Sequence, residues 1–457
     1  MKNTLNVKTL FKDYYDNYIR DLSGLLRIPS VLDKFDPSSK LSPFGFPIRD
    51  ALIYMINLAE RDGFKAFNLD NYCGYVDFGE GEDLLIILCH LDVVPATGDW
   101  TNPPFDPIIK NGRIYARGSA DDKGPLMSAY YALKMLKDQG YLPNKRVRFF
   151  FGCDEETGSR GLSYYLTKYP KADFGFSPDA NFPVIYAEKG ISSFELSGKS
   201  NDSRLISFKS GTVSNVVPDK AVAVIDELEL KNEFLRFAEQ NDMKGEVKGH
   251  EYTLYGKAAH GSVPEKGKNA ALYLGFFLSH YLNDDFINFI KDYLFYDFTG
   301  EKLGIEVFDD EMGYTSNNAG IFSLEDGKFT ITCNYRYPKN ADFNEIMTAL
   351  KEKVNQMDIS LIVLGNSKCH YVPKNSVLVK SLLSSYKKWT QNLEISSSEP
   401  ISIGGGTYAR DFENAVAFGA MFPGEIDSMH MPDESADIDN LILASFIYQD
   451  AIKNICG

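Results

Sequence analysis

Apolar residues recur with two different periods in the first part of the chain. From Leu10 to Leu26 they return every three or four positions, as in an amphipathic helix, and residues 48–64 repeat this pattern with Gly63 as a stop. The segments "CGYVDFG", "DLLIILCHLDVV" and "RVRFFFGC" have the pattern of strands, and "GPLMSAYYALKMLKDQG" and "SRGLSYYLTKYP" that of helices. Strands that alternate with helices, some of them apolar throughout, predict an α/β layer with helices on both faces.

The pattern changes beyond about Asp179. Shorter, alternating strands follow in "VIYAEKGISSFELSG", "LISFKSG" and "KAVAVIDELEL", then helices around 269–295 and strands at 319–335 and 358–365. From Asn375 the alternation of helix and strand returns, and it ends in a helix from about Ile438 to Ile455. The chain therefore predicts one α/β domain, built from residues 1–187 and 376–457, with an α+β domain of residues 188–375 inserted into it.

Composition and charge exclude several classes of partner. The chain has 457 residues, 44% of them apolar, and 63 acidic against 48 basic side chains give a net charge of -15. This charge disfavours nucleic acid and anionic membranes as partners. The start of the chain lacks the apolar segment of a signal peptide, and the six cysteines are scattered without a CxxC spacing. A cytoplasmic protein with reduced thiols is the prediction.

Acidic and imidazole side chains follow the predicted strands of the α/β segment or precede its helices. The carboxyl ends of strands are where sites assemble in open α/β sheets. The residues at such positions are His90, Asp92, Asp121, Asp122, Asp154, Glu155, Glu156, Asp179 and His430.

The adjacent glutamates of "CDEETGS" pose an electrostatic problem. Glu155 and Glu156 follow a buried strand, where unpaired charges are costly or take up protons. A cation among several carboxylates removes their repulsion, and oxygen ligands mixed with imidazole suit zinc, manganese or cobalt. Each motif alone has a plainer interpretation, as a surface pair, a solvated loop or a turn. Their coincidence favours a metal site.

Six motifs together resemble a known family. "HLDVVP", "GRIYARGSADDKGP", "CDEETGS", "SPDA", "HGSVPEKGKNA" and "HMPDE" occur in the order found in the co-catalytic metallopeptidases that include carboxypeptidase G, carnosinase and PepV. The middle segment, with "SNVVPDKA", "CNYRYP" and "GGGTYARDFENAVAFGAMFPG", is most similar to the PepV-like dipeptidases. The resemblance implies a zinc-peptidase-like, three-layer catalytic domain with an inserted α+β lid domain.

The same resemblance implies a dinuclear site for zinc or manganese. In it, Asp121 would bridge two divalent ions, His90 and Asp179 would complete one site, and Glu156 and His430 the other. The family also holds the peptide bond after the bridging aspartate in cis. Aspartate at position 179 fits the peptidases better than the aminoacylase-like deacylases, which tend to have glutamate there.

Two further carboxylates have implied roles beside the metals. Glu155 would be the general base that acts on a metal-bridged water, the nucleophile. Asp92 would accept the free imidazole N–H of His90, and strand alternation is expected to place both residues on one face. The strand end is likewise expected to turn Glu155 and Glu156 in opposite directions.

The resemblance also assigns substrate contacts in and near the lid. His260 and Asn215 would polarise the scissile carbonyl, and Arg336 together with the backbone of Gly405 and Gly406 would bind the C-terminal carboxylate. Without the family, a turn cap, an Asx turn and a surface ion pair would be favoured over the functional roles of these three side chains.

The sequence thus predicts a monomeric metallodipeptidase that acts on small peptides with a free N-terminus. An N-acyl amino acid deacylase or an aminotripeptidase on the same scaffold stays open, because pocket contacts rather than metal ligands decide the substrate. A peptide-binding protein without catalysis is a third alternative.

Overall fold

The computed structural model describes residues 7–169, 172–391, 393 and 399–457. The chain divides into two compact units. The first combines Met1–Ala187, Val372–Ile401 and Gly406–Gly457, and the second combines Glu188–Tyr371 and Ser402–Gly405. Residues 1–6 of the N-terminal segment and Pro170, the end of a predicted helix, lie outside the described residues.

A mixed sheet forms the centre of the first unit. Its three inner strands are parallel neighbours: Leu84–His90 pairs with Arg146–Gly152 on one side and with Phe174–Ser177 on the other. Antiparallel strands extend the sheet beyond Arg146–Gly152. Seven of its nine strands are, in spatial order, Lys65–Leu69, Cys73–Phe78, Arg146–Gly152, Leu84–His90, Phe174–Ser177, Ala415–Ala417 and Ile185–Glu188.

Helices cover both faces of this sheet, as the apolar strands predict. Side chains of neighbouring strand residues point to opposite faces. Phe149 contacts Tyr130 on one face, with ring centroids 6.2 Å apart. Phe150 contacts Tyr165 on the other face, with ring centroids 5.2 Å apart. The first unit is therefore a three-layer α/β structure.

The helices of the first unit confirm the periodic segments of the sequence. The predicted helices that span residues 10–26, 48–64, 124–140 and 438–455 are present, with boundaries that differ by at most three residues. Its helices are Val7–Leu10, Lys12–Leu26, Phe46–Arg61, Lys123–Asp138, Arg160–Lys168, Val377–Thr390, the 3-10 turn Tyr408–Asp411, and Ile438–Cys456.

The second unit is an antiparallel sheet with helices packed on it. Its strands are, in spatial order, Lys244–Lys248, Glu251–Tyr255, Lys220–Ile225, Leu205–Ser210, Ser316–Glu325, Lys328–Tyr337, Gly190–Lys199 and Ser360–Ser367. Its longer helices are Lys231–Gln240, Ala270–Leu278 and Phe343–Asn355. A core that includes Phe194, Phe208, Phe277 and Leu350 joins sheet and helices. The predicted fold class, an α/β domain with an inserted α+β domain, is confirmed.

Two local expectations about strand ends were wrong. The strand that carries His90 ends at that residue, so Asp92 lies in the following loop and strand alternation does not place it. The next strand ends at Gly152, and Glu155 and Glu156 lie in a turn. The first strand ends before its apolar run does, whereas the second ends within one residue of the end of its run.

Among the described helices, none has an apolar stretch long enough to cross a bilayer.

Candidate metal centre

The predicted ligands are gathered at one edge of the sheet in the first unit. His90 ends one inner strand, and Glu155 and Glu156 follow the neighbouring parallel strand. Asp179 follows the third parallel strand, Phe174–Ser177. Parallel neighbours end at the same edge, which explains why residues far apart in sequence meet there.

Asp121 lies between the two histidines. Its Oδ1 atom is 3.0 Å from His90 Nε2, and its Oδ2 atom is 2.9 Å from His430 Nε2. Asp179 Oδ2 lies 3.7 Å from His90 Nε2, and Glu156 Oε2 lies 3.3 Å from His430 Nε2. Each oxygen of Asp121 therefore faces a different imidazole and a different second carboxylate, the arrangement expected of a bridging ligand.

The donor set fits divalent metal ions. Ligand atoms of His90, Asp121 and Glu156 lie within 4.8 Å of one another, as do those of His90, Glu155 and Asp179. Within the described part of the chain, the buried Glu156 Oε1 has no hydrogen-bond partner. Oxygen and imidazole donors around an unsatisfied carboxylate suit Zn²⁺ or Mn²⁺.

Burial, and then repulsion between neighbouring carboxylates, shifts the pKa values in this cluster. Burial and the charge of Asp121 raise the pKa of Glu156 to about 7 and that of Asp179 to about 6. Hydrogen bonds to Asp121 and Glu156 raise the pKa of His430 to about 11. Burial opposes ionisation of Asp121, but hydrogen bonds from His430 and His90 lower its pKa below the usual range. The cluster attracts positive charge to its centre.

Asp92 connects one ligand to the glutamate turn. Its Oδ1 accepts from the backbone N–H of Glu155, and its Oδ2 from that of Glu156, each at 3.1 Å. His90 Nδ1 lies 2.9 Å from the Asp92 carbonyl oxygen but 3.6 Å from Asp92 Oδ1. The carbonyl is thus the nearer acceptor for the imidazole N–H, which leaves Nε2 facing Asp121.

A second carboxylate stabilises the same turn. Asp154 is fully buried and accepts from Arg160 Nε at 2.5 Å and Nη2 at 2.7 Å, and from the Thr157 hydroxyl. Glu155 has different surroundings: burial and the charge of Asp179 raise its pKa, against the opposing charge of His90. The turn therefore holds one neutralised carboxylate and leaves Glu155 and Glu156 to the metal centre.

Reasoning from sequence assigned no role to three supporting residues, although Asp122 and Asp154 were among the candidates at strand ends and helix starts and Glu434 lies in a quoted motif. Asp122 Oδ2 accepts the backbone N–H of His90 at 3.1 Å, and the Asp121–Asp122 peptide is cis. Asp154 anchors the glutamate turn, as described above. Glu434 is fully buried after His430. A buried acidic residue beside a ligand was the available signal.

The second unit brings Asn215 and His260 together. The backbone N–H of Gly261 donates to the Asn215 carbonyl at 2.7 Å, and His260 Nδ1 lies 2.6 Å from Ser262 Oγ. The side chains of Asn215 and His260 are exposed. Both are presented on loops, as the implied carbonyl contact requires.

Arg336 lies close to the same loop of the second unit. It is buried, its Nε donates to Asn334 Oδ1 at 2.8 Å, and its Nη1 donates to the Gly404 carbonyl. A Cβ atom on Gly404 would lie 2.6 Å from Ser262 Cβ, so only glycine allows this approach. Gly405 also belongs to the second unit, whereas Gly406 belongs to the first.

Comparisons with known proteins identify the family. Residues 86–454 match the sequence model of peptidase family M20/M25/M40. A "putative dipeptidase" of Staphylococcus saprophyticus is 38% identical over 468 residues, which cover 97% of this chain and 98% of the relative. One of Staphylococcus epidermidis is 38% identical over 466 residues, with the same coverage.

Solved structures share the fold at low identity. Human carnosine dipeptidase 1 is 12% identical, with a TM-score of 0.62 and coverage of 98% of both chains. An M20 family metallo-carboxypeptidase of Sulfolobus solfataricus is 20% identical, with a TM-score of 0.60 and coverage of 96% of this chain and 99% of that one.

Proposed function

Because this chain belongs to peptidase family M20/M25/M40, we propose that it is a metal-dependent dipeptidase that hydrolyses dipeptides with a free N-terminus. The single observation that carries the proposal is the Asp121 carboxylate, held between His90 and His430 with further carboxylates beside each histidine. The relatives named as dipeptidases, which match almost the whole chain, support the substrate class.

Five side chains would hold two divalent ions, zinc or manganese. Asp121 would be shared, His90 and Asp179 would hold one ion, and Glu156 and His430 the other. When bound, such ions supply Lewis acidity and make a water molecule easier to deprotonate.

Glu155 moves the proton in this proposal. It lies next to Glu156 in the turn, and its carboxylate is close to His90 and Asp179. From there it takes a proton from the attacking water and delivers it to the amine nitrogen that leaves when the peptide C–N bond breaks. Asp92 accepts a hydrogen bond from the backbone N–H of Glu155, and this bond holds the base beside the proposed ligands.

Groups of the second unit, together with Gly406 of the first, bind the substrate in this proposal. His260 and Asn215 donate to the carbonyl oxygen of the scissile bond as negative charge develops on it. Arg336 and the backbone N–H groups of Gly405 and Gly406 bind the C-terminal carboxylate. The contact of Arg336 with the Gly404 carbonyl supports a shared carboxylate site, because it brings guanidinium and glycine loop together.

Metal analysis combined with a substrate panel tests the proposal. The purified protein is freed of metal, reloaded with Zn²⁺ or Mn²⁺, and assayed on dipeptides, tripeptides and N-acetyl amino acids. We expect two equivalents of metal and turnover that is fastest on dipeptides.

The other outcomes of this panel are equally informative. Preferential turnover of N-acetyl amino acids or of tripeptides would replace the proposed substrate with that of a deacylase or an aminotripeptidase. Metal binding without turnover of any peptide would identify a peptide-binding protein and overturn the enzymatic proposal.

A further inference from the structure

The Glu434 side chain accepts hydrogen bonds from three backbone N–H groups of one loop and from an arginine. Arg117 Nη1 donates to its Oε2 at 2.6 Å, and the N–H of Ala120 donates to its Oε1 at 2.8 Å. The N–H of Gly118 lies 3.1 Å from both oxygens, and that of Asp121 lies 3.2 Å from Oε1. With an exposed fraction of 0%, the carboxylate has no access to water. One side chain thus accepts hydrogen bonds from three N–H groups of the loop that ends at Asp121.

Further contacts join the two loops beyond this carboxylate. The N–H of Ala116 donates to the Glu434 carbonyl at 3.1 Å, and Arg117 Nη1 lies 3.4 Å from the Met431 carbonyl. Asp121 and His430 are 309 positions apart in the chain, yet their side chains are in contact. Glu434 lies four residues after His430 and bonds to the backbone of Asp121, so it connects the carriers of both ligands.

Only a carboxylate satisfies this set of donors. Every neighbour that bonds to Glu434 presents an N–H, and an amide in its place would turn its own NH₂ group toward at least one of them. Arg117, which is 1% exposed, would also lose the charge that compensates its guanidinium. Position 434 therefore requires a negative charge with two acceptor oxygens, and a side chain of the same size and shape would not replace it.

We propose that Glu434 is a positioning residue that sets the distance between Asp121 and His430, and thereby the affinity of Asp121, Glu156 and His430 for their divalent ion. This inference rests on the proposed function, because it takes those three residues as ligands. Glu434 itself contacts neither metal nor substrate. Partners that orient ligands typically account for a factor of about 10–100 in metal affinity.

Titration of the metal-free, full-length protein with Co²⁺ or Zn²⁺ tests the inference directly. The variant is Glu434→Gln, and the matched control is Asp21→Asn, a carboxylate in the same unit that is 2% exposed and bonded to Arg61 and Tyr131. We expect the wild type and the control each to bind two equivalents of metal, and the affinities of the control to equal those of the wild type. In Glu434→Gln one equivalent is expected to bind about 10–100-fold more weakly.

Kinetics give a second readout that a merely structural role would not move. We expect Glu434→Gln to have a lower kcat at limiting metal, an unchanged KM for the peptide, and recovery of kcat at high Co²⁺. If Glu434→Gln does not fold, Glu434→Asp, which keeps the charge on a shorter side chain, is expected to weaken the same equivalent.

The outcomes separate this inference from the proposed function. Two equivalents bound by a folded Glu434 variant with wild-type affinity would overturn the inference and leave the proposed function intact. Wild-type protein that binds no metal would overturn both, because the ligand assignment would then be wrong.

Discussion

Buried carboxylates of the first unit occur in two contrasting surroundings. Asp21, between helices, accepts from Arg61 Nη1 at 3.0 Å, from Arg61 Nη2 at 2.8 Å and from the Tyr131 hydroxyl at 2.7 Å. Burial opposes its ionisation, but these hydrogen bonds lower its pKa overall. At the metal centre the balance is reversed: burial and the neighbouring Asp121 raise the pKa values of Glu156 and Asp179.

The difference lies in where the neutralising charge comes from. A carboxylate that meets an arginine or several N–H donors of its own chain stabilises the fold. A carboxylate that meets other carboxylates needs a cation from solution. Asp154 and Glu434 adjoin the centre and each has an arginine partner, Arg160 and Arg117 respectively. Glu434 shares features of both kinds, because burial and the charge of Asp121 raise its pKa in spite of Arg117.

The largest effect on activity is expected from substitution of Glu155, which leaves the five proposed metal ligands unchanged. Glu155→Gln removes the proton acceptor, and we expect hydrolysis of a dipeptide to fall about 10³-fold, within the usual contribution of a general base. Metal content, measured on the same samples, is expected to stay at the wild-type value. The exposed Glu80→Gln serves as control. Turnover within a few-fold of wild type would remove Glu155 from the role of base.

Metal removal is a second test of the difference between carboxylates paired with arginine and carboxylates beside other carboxylates. Without the ions, repulsion among Asp121, Glu156 and Asp179 returns, so we expect a chelator to lower Tm. Free metal at 100 times its Kd is expected to restore about 2.7 kcal/mol per site. Metal is expected to stabilise the Asp21→Asn variant by the same amount, because Asp21 bonds to Arg61 and Tyr131 and to none of the proposed metal ligands. A Tm that does not respond to chelation would contradict a filled centre.

The contrast also explains how far the sequence was informative. Apolar periodicity and residue type are local, and they predicted the inner strands, the main helices and the positions of His90, Asp121 and His430. The hydrogen bonds of Glu434 depend on tertiary contacts, and those of Asp154 depend on the shape of one turn. Neither leaves a periodic pattern in the sequence. The helices Lys231–Gln240 and Phe343–Asn355 were also not predicted, although both are amphipathic and their periodicity was an available signal.

Substitution of Asp21, between the helices, is expected to have a smaller effect, and on stability alone. Asp21→Asn loses the charge-assisted hydrogen bonds to Arg61, whose side chain is 42% exposed and partly screened by water. We therefore expect a loss of about 2 kcal/mol in the free energy of unfolding at neutral pH. Urea unfolding measures it. Activity per folded molecule is expected to equal that of wild type, and a large loss of kcat would show that Asp21 influences the centre.

The pH dependence of that loss is the most delicate expectation. The pKa of Asp21 is lowered from 3.8 in the folded protein, so its contribution is present above that value and disappears as pH falls through the folded pKa. The stability difference between metal-free wild type and Asp21→Asn is thus expected to be constant from about pH 7 to pH 5 and to shrink below about pH 4. Because both proteins retain the same metal centre, its own titration cancels in the difference. A difference that persisted unchanged to pH 3, or grew, would mean that Asp21 is not stabilised as an anion, and the contrast between the two kinds of carboxylate would fail at its simplest member.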